Sequence, residues 1–252
     1  MLLLLLAAFA ARAADQGPSG LPPAPTVDHL PGAPGKSGLF TSRGLRQASG
    51  GTGFFVTADG KLLTNYHVVS DCTAYSVEPT DGAETAATLL AYDAAEDLAL
   101  LQAPVPGAAP VTFRGKVLWD QRPIAVIGYP AFGMQRIKPF LATGTLTGPA
   151  TADGRRYQFH ADIRHGNSGG PIFDEQGLVV GVVFAKIDTV DTFRKTGQRI
   201  EDVGFAISNL TTGTFLDNHG VSAATADYGP VQDDQGLFTS AQRSLVRVLC
   251  WR

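Results

Sequence analysis

From Gly50 onward the chain is a series of short apolar runs broken by turn signals, and that rhythm restricts its fold more than any other feature. The runs fall at residues 54–56, 62–64, 73–77, 87–92, 98–102, 110–113, 123–128, 140–147, 157–163, 171–173, 178–185 and 203–207. Between them stand Asp59-Gly60, Asp81-Gly82, Asp153-Gly154 and Gln176-Gly177. Each run suits a strand and most are too short for a helix, so many at close spacing predict an all-β barrel or sandwich. About a dozen strands would build two antiparallel barrels of six. The 252 residues, 44% hydrophobic and 17% charged, can bury the core that such a fold needs.

The flanks have a different texture. Residues 1–13 combine an apolar run with Ala11-Arg12-Ala13, which has the small-x-small form of a signal-peptidase site. The run is too short to span a bilayer, so it predicts export, to the periplasm or outside the cell, with no stable membrane anchor. Residues 14–46 are rich in Pro and Gly and read as an extended leader, in which His29 is solvated. A helix with Leu210, Phe215 and Leu216 on one face is expected after Ile207. The segment 238–251 is a helix or a strand docked on the core. We therefore expect a signal peptide at 1–13, a leader at 14–46, a two-barrel domain at 47–215 and a C-terminal extension at 216–252. The net charge of −3 and pI near 5.9 leave no basic footprint for a nucleic-acid partner. The two cysteines, Cys72 and Cys250, suggest one disulfide in an exported chain; two free thiols are the alternative.

Chemistry is concentrated in His165-Gly166-Asn167-Ser168-Gly169-Gly170-Pro171. A serine hydroxyl is a weak nucleophile until an imidazole takes its proton and N–H groups receive the oxyanion. Of the five histidines, His67 closes an apolar strand, where the scaffold would fix it. Asp97 opens the apolar stretch Leu98-Ala99-Leu100-Leu101, and a carboxylate there needs a hydrogen-bonding partner such as an imidazole N–H. Asp93 is a weaker rival. His67, Asp97 and Ser168 occur in the order of the chymotrypsin type, unlike that of subtilisin or the α/β-hydrolases.

Thr64-Asn65-Tyr66-His67-Val68-Val69, Asp97-Leu98-Ala99-Leu100-Leu101 and Gly166-Asn167-Ser168-Gly169-Gly170-Pro171 together resemble the three catalytic motifs of trypsin-like serine peptidases, closest to the bacterial HtrA/Deg branch. Gly51-Thr52-Gly53-Phe54, Gly128-Tyr129-Pro130 and Val203-Gly204-Phe205-Ala206-Ile207 extend the resemblance over residues 50–209. It implies Ser168 as nucleophile, His67 as general base and acid, and Asp97 as orienter of His67. Gly166 and Ser168 would donate N–H groups to the oxyanion, at about 3 kcal/mol per donor. Phe184, Ala185 and Lys186 would pair with an extended peptide or protein substrate. Asp162, with Gly204 leaving the pocket wall open, would favour Arg or Lys at P1; an Asp162–Arg164 surface pair is the alternative. No metal or cofactor is implied. HtrA proteins usually carry a PDZ domain, and the residues after the second barrel here are too few for one. Asn167 stands where pancreatic enzymes have the Asp that pairs with a freed N-terminus, so no activation by that ion pair is inferred.

Two other readings compete. Gly166-Asn167-Ser168-Gly169-Gly170 also matches the G-x-S-x-G elbow of an α/β-hydrolase esterase, with Asp202 or Asp217 and His219 as partners. That reading requires long helices between parallel strands. The other is a catalytically silent binding homologue.

Overall fold

Strands buried on one face alternate apolar and polar residues, whereas strands covered on both faces are apolar throughout. The second case applies wherever this chain runs Phe54-Phe55, Leu62-Leu63 or Leu98-Ala99-Leu100-Leu101. The computed structural model describes residues 44–130, 138–186, 194–195 and 201–252. The expected signal peptide and nearly all of the leader, His29 included, lie outside the described residues.

Five strands precede residue 103: β1 (Gln47–Phe55), β2 (Lys61–Thr64), β3 (Ala74–Pro79), β4 (Thr85–Asp93) and β5 (Leu98–Gln102), with a one-turn helix α1 (Tyr66–Val69) after β2. There follow β6 (Thr112–Arg114), β7 (Arg122–Gly128), β8 (Phe140–Pro149), β9 (Arg156–Ala161), β10 (Pro171–Asp174), β11 (Val179–Lys186) and β12 (Val203–Ser208). The chain then forms α2 (Asn209–Asn218), β13 (Ala224–Ala226), α3 (Asp234–Ala241) and β14 (Leu245–Trp251). Each apolar run singled out above falls in or overlaps one of β1–β12.

Two closed barrels result. The first runs β1-β14-β3-β4-β5-β2. The second runs β10-β7-β8-β9-β12-β11 and closes by the β10–β11 pairing. Every pair within these two rings is antiparallel; β6 and β13 are added beyond β11 in parallel register. This all-β architecture overturns the α/β-hydrolase reading, which needed helices packed on a parallel sheet.

The C-terminal segment corrects the expected division of the chain. Residues 216–252 are not an extension outside the barrels, because β14 is a wall of the first one. It pairs with β1 from Gln47↔Trp251 to Phe54↔Leu245, and with β3 from Ala74↔Trp251 to Pro79↔Val246. The physical reason is coverage: Val246 and Val248 fill the first barrel, while Leu245 packs in the seam. Cys72 and Cys250 are joined, Cα to Cα 5.4 Å.

The seam positions the site. Phe54, Leu63, Leu98 and Leu100 from the first barrel meet Ile127, Phe173, Val182 and Ile207 from the second in one cluster. Their chain neighbours Phe55, Leu62, Ala99 and Leu101 point the other way, into the first barrel. Period-2 alternation thus sends successive apolar residues to two different cores. Full burial of each large side chain is worth about 1.5–3 kcal/mol, so the seam is a firm contact.

Candidate active site

His67 is carried by α1, which starts as soon as β2 leaves the seam. Val68 and Val69 are buried and anchor this short helix against the first barrel. Its entry is tied to the acid: Tyr66 N–H (3.2 Å) and Asn65 Nδ2 (2.9 Å) both donate to the Asp97 carbonyl. Asp97 has φ +58, a left-handed conformation in which Asp is among the few tolerated non-glycine residues. That backbone turn directs both carboxylate oxygens at His67. Oδ1 accepts the His67 backbone N–H at 2.9 Å, and Oδ2 lies 2.7 Å from Nδ1. The backbone contact fixes the carboxylate, and the ring contact favours a proton on Nδ1, which leaves Nε2 as the basic nitrogen. Asp93, the rival acid, instead caps a turn: its Oδ1 accepts Ala95 N–H and Glu96 N–H.

Ser168 sits between two glycines with positive φ, Gly166 at +94 and Gly169 at +82. Gly169 cannot be larger. A Cβ there would overlap Thr52 O and Thr64 Oγ1 and lie 2.9 Å from Asn65 N. The residue after the serine is therefore packed against the start of α1. Gly51, from its other side, separates Ser168 from the helix: a Cβ on it would meet both Ser168 O and Val68 Cγ2 at 2.8 Å. The loop is stitched to the second barrel by Gly169 N–H to Val183 O and Val183 N–H to Gly170 O, both 2.9 Å. Asn167, buried, closes the turn from inside by accepting Arg164 N–H on Oδ1 at 2.9 Å. Among the described residues, neither the N–H of Gly166 nor that of Ser168 has an acceptor, and Ser168 Oγ makes no hydrogen bond.

A cleft of about 200 Å³ opens beside Ser168, bordered by Ile163, Arg164, His165, Val183, Phe184, Ala185 and Lys186. The β10 partner of β11 ends at Val182, so residues 184–186 keep one edge without a neighbouring strand among the described residues. Lys186 Nζ donates to Ile163 O at 3.3 Å. Gly204 does not leave a wall open: a Cβ on it would run into the Phe159 ring and lie 2.8 Å from Ile163 Cδ1. Asp162 does not border the cleft. Its side chain is 55% exposed and pairs with Arg164, Nη2 to Oδ2 2.8 Å. The hydrogen bond from Arg164 holds its carboxyl below the usual range.

Glu96 and the second-barrel arginines beside the acid drew no attention in the sequence. Arg155 pairs with Glu96 Oε1, and Arg156 Nη2 lies 2.7 Å from Oε2. The Arg156 guanidinium also sits 5.3 Å from the centre of the Phe184 ring. Burial lowers its pKa, opposed by the nearby Asp97 charge. Adjacency to Asp97 was the only signal for this clamp between barrels. His219, the histidine required by the esterase reading, instead places Nδ1 2.8 Å from Phe215 O at the end of α2. Among the described residues no cluster of His, Cys, Asp and Glu could hold a metal ion. No described helix is long and apolar enough to cross a membrane.

The family model for the trypsin-like peptidase domain matches residues 51–182. The chain is 32% identical over 205 residues to the uncharacterized protein y4bJ of Sinorhizobium fredii, covering 81% of this chain and 32% of that protein. It is 34% identical over 167 residues to a probable periplasmic serine endoprotease, DegP-like, of Bartonella henselae, covering 59% and 30%. The chain thus spans about a third of the length of the curated relatives it matches. Among solved structures, the active form of the Rv3671c protease from M. tuberculosis superposes with a TM-score of 0.55 at 26% identity, over 72% of this chain and 78% of that one. The HtrA-type protease AlgW with a decapeptide gives a TM-score of 0.57 at 26% identity, over 67% and 51%. With two antiparallel barrels meeting at a His–Asp pair and a glycine-flanked serine, the chain belongs to the trypsin-like serine peptidase family, on its DegP/HtrA-like side.

Proposed function

We propose that this chain is an exported serine endopeptidase that cleaves peptide bonds through an acyl-enzyme. Ser168 Oγ attacks the carbonyl carbon while His67 Nε2 takes its proton. The imidazolium, steadied by Asp97, then protonates the leaving amine, and water repeats the sequence to release the acid. The negative oxygen is received by the N–H groups of Gly166 and Ser168. An extended substrate adds as a strand along residues 184–186. The observation that carries this reading is the two-point grip of Asp97 on His67, opposite a serine loop whose two N–H groups have no acceptor. Catalytic hydrogen bonds are often long before substrate binds, which suits the unbonded Ser168 Oγ.

The geometry favours a small or medium aliphatic P1 side chain over Arg or Lys. Ile163 and Phe159 fill the space beside Gly204, and Asp162 is turned outward. Export rests on the residue 1–13 pattern and on the periplasmic DegP-like relatives. Incubation with an unfolded protein and a peptide library tests the whole reading. Cleavage after aliphatic residues, abolished in Ser168→Ala, supports it; equal cleavage by Ser168→Ala refutes it.

A further inference from the structure

Thr52 belongs to β1, in the first barrel, but two of its polar groups reach into the serine loop of the second. Its backbone N–H donates to Ser168 O at 2.9 Å. Its hydroxyl donates to Gly166 O at 2.6 Å and accepts the N–H of Tyr129 at 2.9 Å. Its own carbonyl accepts Thr64 Oγ1 at 2.7 Å, which ties the arrangement back to β2. The side chain is wholly buried. A hydroxyl has one proton to give, and the Tyr129 N–H already occupies an oxygen lone pair, so the proton goes to Gly166 O. One residue therefore holds the carbonyls of both Gly166 and Ser168, the two residues whose N–H groups lack acceptors.

Gly166 at φ +94 has no side chain to resist rotation of its peptide units. The unit after Gly166 is held at both ends by hydrogen bonds, its carbonyl by the Thr52 hydroxyl and its N–H, that of Asn167, by Arg164 O at 3.0 Å. The next unit, which carries the Ser168 N–H, is bracketed between it and the unit whose carbonyl, Ser168 O, accepts Thr52 N–H. The space beside the hydroxyl is closed: a Cβ at Gly128 would lie 2.8 Å from Thr52 Oγ1 and 2.9 Å from Asn167 Nδ2. We propose that Thr52 is a positioning residue that aims the oxyanion-binding N–H groups, coupling the wall of one barrel to the reactive loop of the other. This rests on Gly166 and Ser168 being the oxyanion donors.

The test compares Thr52→Val, of the same shape without the hydroxyl, with Thr52→Ser, which keeps it. Rates on a fluorogenic peptide with valine at P1 are normalised to titrated active sites. Loss of a whole oxyanion donor costs about 10²–10³ in kcat. A misdirected pair in Thr52→Val should then cost about 10- to 100-fold in kcat with KM within about twofold. The inhibition constant of the matching peptide aldehyde, whose adduct carries the oxyanion, should rise by the same factor as kcat/KM falls. Thr52→Ser should restore kcat to within about threefold of wild type, on the reasoning that only the hydroxyl is required. A purely structural role would lower thermal stability and the titratable fraction without changing kcat per site or aldehyde affinity, and that result overturns the inference. Equal losses in Thr52→Val and Thr52→Ser would show that the hydroxyl is not what sets the rate and also overturn it. Should Thr52→Val not fold, Thr52→Ala takes its place in the same comparison. An inactive, untitratable wild type refutes the peptidase reading itself; an active wild type matched by Thr52→Val refutes the role of Thr52 alone.

Discussion

Replacing Asp97 by Asn is expected to leave the fold intact and almost abolish turnover, for a reason that lies in the backbone. Asp97 receives two N–H groups from the same residue, the His67 main chain on Oδ1 and the His67 ring on Oδ2. An Asn has one oxygen and one NH₂ for these two places. The main-chain N–H has no other tautomer, so it claims the oxygen. The amide NH₂ must then face Nδ1, which can accept only if the imidazole carries its proton on Nε2. The base is thereby protonated on the nitrogen that should receive the Ser168 proton. Wrong-tautomer variants of this kind of triad lose about 10⁴ in kcat, equivalent to about 5.4 kcal/mol of transition-state stabilisation. Steady-state kinetics on titrated enzyme would measure it, with circular dichroism to confirm folding. A folded Asp97→Asn variant within tenfold of wild type would show that Asp97 does not set the tautomer of the base.

Other expectations follow from the packing and the charges. Changing Cys72 and Cys250 to Ala opens a loop of 178 residues and should lower stability by up to about 5 kcal/mol in the chain-entropy account, read from denaturant midpoints. Gly169→Ala combines a φ of +82 with overlap on Thr52 and Thr64, and should cost about 3 kcal/mol or more as seen by thermal unfolding. Tyr129 and Tyr157 are both pushed up to about 12 by burial, from 10.0. Raised folded-state values mean that their contribution is complete below pH 10 and is lost as pH rises from 10 towards 12, so denaturant midpoints should fall across that window. Asp162→Ala should leave the P1 preference unchanged, because its carboxylate is turned to Arg164; a lost Arg or Lys preference in library profiling would contradict that placement.

The sequence carried much of this fold, and the exceptions have physical causes. The barrel strands were legible because turn pairs such as Asp59-Gly60 and Asp153-Gly154 separate runs too apolar for loops. The proposed triad of His67, Asp97 and Ser168 was read from its order in the chain and from the glycines around Ser168. The segment Leu245–Trp251 was ambiguous because it is buried on both faces and so lacks a strand's alternation. Its partners lie far off in the chain, β3 by 167 to 177 residues and β1 by 191 to 204, beyond the reach of any local pattern. Asp162 was misleading because spacing gives a position and not a direction. The chain turns at Ile163 N–H to Ala161 O, and it is Ile163 that borders the cleft. Thr52 lay within a quoted motif, but its role depends on contacts with residues more than a hundred positions away.

The central claim is that the first barrel supplies the base for a nucleophile held by the second. Intact-mass and peptide mapping after treatment with a fluorophosphonate tests it most directly. The account predicts one adduct, on Ser168, in the wild type and none in His67→Ala under the same conditions. Labelling of Ser168 that is undiminished in folded His67→Ala, or a wild type that takes up no label, would contradict it.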